Sequence, residues 1–196
     1  MIKIILQSLK MFLWMTLITG IVYPSFVTVI GHLAMQNRVS GSIISAQGHP
    51  TGALLLAQKF ESDQYFWPRP SAVDYNPLPS GGSNFGPTSA VLKKLVEERR
   101  ALLAKAHEVS QENVPNELLF ASGSGLDPHI SPQAAYFQIA RIVKARRFPV
   151  ELGTKALQLM VDNVTERRCY GFLGQPVVNV LLLNMVVDRM VFNEQR

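Results

Sequence analysis

The sequence predicts an α+β fold, with one N-terminal transmembrane helix followed by a single small extracytoplasmic α+β domain. Three observations predict it. Between Lys10 and Arg38 there is no Lys, Arg, Asp or Glu. Beyond that span, capped helical periodicities follow short apolar runs flanked by turn residues. The composition joins 47% hydrophobic to only 17% charged residues, below the roughly 25% charge of an ordinary soluble domain.

The same arithmetic excludes several classes. A chain of 196 residues builds one core-bearing domain, and its apolar content is too high for disorder. The mean hydropathy of +0.13 agrees with a chain kept partly in lipid. Cys169 is the single cysteine, so no intrachain disulfide framework or zinc knuckle can form. The net charge is +5, but no block of five like charges exists. No nucleic-acid partner is expected.

Met11–Leu33 is long enough to cross a hydrocarbon core of roughly 30 Å as a helix. It exceeds the roughly 7–15 apolar residues of a signal peptide, and His32 is a poor −3 residue for cleavage. A retained anchor in the lipid bilayer follows. Lys3 and Lys10 precede the span and only Arg38 follows it closely, which predicts a cytoplasmic N-terminus. The expected division is therefore 1–37, tail and anchor, and 38–196, an extracytoplasmic domain. Thr16 and Gly20 stand four apart, a small-residue stripe where a partner helix can approach. Tyr23 suits the membrane interface, and Pro24 removes a backbone donor and bends the helix.

After the anchor, Gly41–Gln58 reads as two short strands around a turn at Gln47-Gly48-His49-Pro50. Residues 65–87 hold five of the twelve prolines and many aromatics, which predicts an ordered, packed loop. From Thr88 a helix is expected with Leu92, Leu95, Val96, Leu102, Leu103 and Ala106 on one face. Lys93/Glu97 and Lys94/Glu98 pair on the other. Ser131-Pro132 opens a second helix by capping, and its inner face is Ala135, Ile139, Ile142 and Val143. Arg141, Lys144, Arg146 and Arg147 lie toward its C-terminal end, where cations suit the dipole. A third helix is expected over about 152–164 and a fourth over about 177–190, the last carrying Asn179 and Asn184.

No phosphate loop or dinucleotide fingerprint is present. Ser80-Gly-Gly-Ser83-Asn84 can form an anion nest or, more simply, a turn. Asp127 and His129 can be paired as metal ligands or as the acid/base dyad of a membrane-tethered hydrolase. A metal site needs three or four ligands, and the other histidines fall elsewhere. The structural reading has Asp127, His129 and Ser131 tying down free amides before the second helix, with Gln138 and Arg141 reaching back to the same loop. Arg69, between Pro68 and Pro70, has a fixed backbone and an aimed guanidinium that suits a carboxylate. These residues assemble into no catalytic site, and no metal is expected.

Thr19-Gly20 with Tyr23-Pro24, Gly41-Ser42, Tyr65–Ser71, Ser80–Pro87, Ser124–Ser131, Gln138/Arg141, Val178–Leu181 and Leu183-Asn184 occur together and in order. In these motifs, from about residue 16 to 188, the chain resembles the KdpC family, C subunits of the bacterial high-affinity, ATP-driven potassium transporter. The Ser-Gly-Leu-Asp-Pro-His-Ile-Ser segment is the most specific. The resemblance implies a non-catalytic accessory subunit of the inner membrane. Its partners would be a channel-like potassium-binding subunit and a P-type ATPase subunit. It would serve assembly or stability, and would raise the pump's affinity for ATP as a catalytic chaperone. ATP and potassium are then used by the complex, with no cofactor assigned to this chain. The small-residue stripe, together with the matched Thr19-Gly20 and Tyr23-Pro24, marks Thr16, Thr19, Gly20, Tyr23 and Pro24 for docking in the membrane. The resemblance marks Arg69, Ser83, Asn84, Asp127, His129, Ser131, Gln138, Arg141, Asn179 and Asn184 as structural or interface positions.

Overall fold

The computed structural model describes residues 1–46 and 49–194, which divide into two compact units, Met1–Ile43 and Ile44–Arg196. In the first unit, α1 (Ile2–Leu17) runs through a π turn (Ile18–Val22) into α2 (Tyr23–Ala34). Together they make a 33-residue helix long and apolar enough to cross a membrane, with none of its most apolar stretch buried. The π turn sits directly before Pro24, with the Tyr23 amide donating to the Ile18 carbonyl. A widened turn is how a helix absorbs a missing donor. Thr19 and Thr28 hydroxyls each donate to the carbonyl four residues back, at 2.7 Å. A short helix, α3 (Gln36–Val39), follows.

The second unit is mixed helix and sheet. β1 (Ile43–Ala46) and β2 (His49–Ala53) form a two-stranded sheet. His49 and Pro50 thus belong to a strand and not to the expected turn; Gln47 and Gly48 lie outside the described residues. Residues 65–87 are free of helix and strand. The first part is packed, with Phe66 fully buried and Pro68 buried, whereas 76–80 and 84–87 are exposed and depart from the expected packed loop. α4 (Ala90–His107) begins at Ser89, whose hydroxyl accepts from the Leu92 amide. Its expected charged pairs form at 3.9 and 3.8 Å. The buried face keeps Leu103 as expected but otherwise differs: Leu102 is 60% exposed, while Ala104 and His107, outside the expected face, are buried. Small Ala104 and polar His107 carry little weight in an apolar count, so the stripe read from the large residues is rotated.

α5 (Pro132–Arg146) is capped by Ser131, whose hydroxyl accepts from the Ala134 amide at 3.1 Å. It ends at Arg147, in the left-handed conformation at φ 58°. α6 (Val150–Val164) packs closely on α5 and the turn between them: a Cβ at Gly153 would stand 3.4 Å from Val143 Cγ2 of α5 and 2.7 Å from the Phe148 Cβ of the turn. Two-residue strands β3 (His129–Ile130) and β4 (Val178–Asn179) pair antiparallel, with His129 opposite Asn179. The last helix therefore starts later than expected, as α7 (Val180–Glu194). Asn179 caps it, its side-chain oxygen accepting from the Leu182 amide. The core lies between α5, α6, α7 and the loop carrying Phe66, through Ile139, Ile142, Leu157, Val161, Leu183 and Val187.

Candidate functional site

Two side-chain amides and one arginine hold the segment 62–67 from below. Asn184, on α7, accepts from the Phe66 amide at 2.8 Å and donates to its carbonyl at 3.0 Å. Gln138, on α5, does the same for Trp67, at 2.7 and 3.1 Å. Each side chain imitates a neighbouring β-strand and satisfies backbone groups that no strand reaches. Arg141, 6% exposed, donates to the carbonyls of Asp63 and Tyr65 at 2.7 and 2.9 Å and to Gln138 Oε1 at 3.0 Å. Gln138 and Arg141 thus reach the 62–67 loop and not residues 122–131. Arg141 does lie toward the C-terminal end of α5, but its planar donor fork is used by inward carbonyls of the loop and by Gln138.

Arg141 also stacks on Trp67, 3.9 Å from the ring centre, and donates Nε–H to His107 Nε2 at 3.2 Å. That acceptance puts the His107 proton on Nδ1, 2.9 Å from the Leu103 carbonyl. Burial, aided by the Arg141 charge, lowers the His107 pKa to about 4. His107 is therefore neutral at ordinary pH. A second clasp lies beside it. Arg146 donates to Asp188 at 2.7 Å and to the Gln64 carbonyl at 2.8 Å, and the Tyr65 hydroxyl donates to the same carboxylate.

Arg69 stands two residues beyond the clamped Trp67. Its Nη1 donates to Asp127 Oδ2 at 3.3 Å, and its carbonyl accepts from the half-buried Tyr75 hydroxyl at 2.9 Å. Asp127 Oδ1 accepts from the His129 amide at 3.0 Å and lies 3.5 Å from the His129 ring. His129, its amide and Arg69 hold the Asp127 carboxyl below its usual range, while Asp127 raises the His129 pKa. Asp127 thus ties a turn two residues long and leaves the helix amides to Ser131. The Ser131 amide in turn donates to Glu117. Asn179 donates to the Leu54 carbonyl at 2.7 Å, linking β4 to the chain after β2.

The glycine-rich segments meet backbone to backbone. A Cβ at Gly82 would stand 2.8 Å from the Gly123 carbonyl oxygen. One at Gly125 would stand 2.7 Å from the Gly81 oxygen and 2.6 Å from Val73. Gly125 also has φ 71° and Asn84 φ 52°. Ser83 is half-buried beside them and Asn84 exposed. Close approach accounts for these glycines. Among the described residues no group of three or more His, Cys, Asp or Glu is gathered as a metal site requires. In the other unit, Thr16, Thr19, Gly20, Tyr23 and Pro24 are exposed, and a Cβ at Gly20 would meet nothing within 4 Å.

No local pattern in the sequence marks His107 and Trp67 as partners of Arg141. The spacing of Gln138 and Arg141 pointed inward, but the segment they hold is more than seventy residues away in sequence. The polar side chains inside apolar helices were the available signal.

A family model described as "KdpC: K+-transporting ATPase, c chain" matches residues 5–189. The chain is 46% identical over 188 residues to a potassium-transporting ATPase KdpC subunit of Leptospira interrogans, covering 95% of this chain and 94% of that one. It is 43% identical to the subunit of that name from Methylococcus capsulatus, covering 93% and 96%. With the one from Paraburkholderia phytofirmans it shares 42%, covering 90% and 91%.

Proposed function

The chain belongs to the KdpC family, accessory subunits of the potassium-transporting ATPase, and from that premise we propose how it serves the pump. It crosses the inner membrane once, N-terminus in the cytoplasm and domain outside, in the divisions 1–37 and 38–196. It binds both the channel-like potassium-binding subunit and the P-type ATPase subunit and is needed for their assembly. The observation that carries this reading is the 33-residue apolar helix whose only charged side chains are Lys3 and Lys10, both near its N-terminal end.

Thr16, Thr19, Gly20, Tyr23 and Pro24 form the docking stripe in the membrane. Close helix approach there gains packing that acyl chains do not supply. The clasped loop presents Arg69 and, with Asp127, His129, Ser83 and Asn84, forms the domain's contact surface for a partner. Gln138, Arg141, Asn179 and Asn184 are positioning residues beneath it. The chain itself contributes no catalytic group. ATP and potassium are used by the complex, and with the domain outside, any rise in ATP affinity travels through the membrane helix and the partner subunits.

Protease accessibility tests the orientation. Added to intact spheroplasts, protease should cut the domain after residue 38; added to inverted vesicles, it should spare it. The reverse pattern overturns the topology.

A further inference from the structure

Between α6 and β4 the chain leaves the core and returns as a narrow hairpin. Glu166 and Val177 exchange backbone hydrogen bonds at 2.8 and 3.1 Å, and Cys169 pairs with Leu173. Arg168 donates across it to Gln175 at 3.3 Å. Every residue from Arg167 to Gln175 is exposed. The tip is nonetheless apolar: Tyr170 is 85%, Phe172 72% and Leu173 50% exposed. Tyr170, at φ 52°, holds the left-handed conformation that bulky side chains avoid. Arg167 and Arg168 form no ion pair among the described residues.

We propose that this hairpin tip docks on the bilayer surface, with Tyr170, Phe172 and Leu173 among the lipid headgroups and Arg167 and Arg168 on anionic phosphates. Exposed aromatic side chains at a turn are unfavourable in water and favourable at the membrane interface, where amphipathic rings collect. Paired arginines beside them supply attraction to anionic lipid. A contact of three apolar side chains on one turn is small beside the roughly 20–30 residues a side of a standard protein interface. It is enough for an interfacial foothold, because the same chain is already attached. Only residues 35–43 lie between the membrane helix and the domain unit, so the tip meets lipid at high effective concentration. The proposal rests on membrane attachment and not on which side the domain lies.

The chain's single cysteine, Cys169, is exposed at the tip and takes an environment-sensitive fluorophore. The full chain is reconstituted in phosphatidylglycerol-containing and in pure phosphatidylcholine vesicles, with co-flotation reading attachment separately. The label should shift to the blue and be quenched by brominated acyl chains in the phosphatidylglycerol vesicles. Arg167→Gln and Arg168→Gln should each shift the docked-to-free ratio about fivefold toward free. Tyr170→Ser with Phe172→Ser should abolish quenching while leaving the thermal transition of the domain unchanged, since these side chains touch no core. Three results overturn the proposal. The label stays unquenched in attached protein, the double serine variant is quenched as before, or the shift requires the other pump subunits, which makes the tip a protein contact.

Discussion

The guanidinium of Arg141 sits 3.9 Å from the centre of the Trp67 ring while donating to the carbonyls of Asp63 and Tyr65, on either side of Gln64. One buried cation thus fixes both the path of a proline-rich loop and the aromatic residue next to Pro68. Removing it leaves carbonyls without donors inside the protein. Arg141→Met should lower stability by about 3 kcal/mol. Arg141→Lys keeps the charge but not the fork, and should cost about 2 kcal/mol. Thermal unfolding of the purified chain checks both.

The two amide clamps make a related prediction. Gln138→Leu and Asn184→Leu preserve much of the volume but orphan the amide and carbonyl of Trp67 and of Phe66. Each should cost about 1–3 kcal/mol. Because both hold one segment, the double variant should fall short of the sum. Full additivity in a double-mutant cycle would contradict a shared clamp.

His107 sets an acid limit. Its folded pKa of about 4 lies below the ordinary value, so the unfolded chain binds the proton first. Stability is therefore fully present above about pH 6.5, declines as pH falls, and is lost by up to about 3 kcal/mol once pH passes 4. The raised pKa of His129 acts with opposite sign, giving stability that is present in acid and lost as pH rises through its folded value. His107→Gln should flatten the melting temperature between pH 7 and 4. An unchanged acid slope would place its cause elsewhere.

Gly125 combines a left-handed backbone with contacts a Cβ would violate. Gly125→Ala should cost more than 2 kcal/mol, and Gly82→Ala, facing only the Gly123 carbonyl, about 1–2 kcal/mol. Gly20→Ala, with open space around it, should leave the domain's transition unmoved.

Much of the fold was legible because α5 and α6 announce themselves through caps and apolar spacing. The Ser131-Pro132 start of α5 needs only local chemistry. The pairing of His129 with Asn179 was not legible, since a two-residue ladder has no period to read. The face of α4 differs at Leu102 because Ala104 and His107 complete its inner surface beside the expected Leu103. At the site, Gln138 and Arg141 were legible as inward polar side chains, but they hold residues 63–67 and not the expected loop. His107 and Trp67 carry no local signal that pairs them with Arg141. Nothing in local spacing tells a buried side chain which distant backbone it will satisfy.

The central claim is that this subunit joins its pump through the small-residue stripe of its membrane helix. Gly20→Leu fills that stripe without meeting any atom of its own chain. The most direct test is the yield of assembled potassium ATPase recovered through a tag on this chain, wild type against Gly20→Leu. Gly20→Leu should bring a severalfold loss of the co-purified subunits, with the domain still folded and growth failing only at low potassium. Undiminished recovery, with normal growth at low potassium, would contradict it.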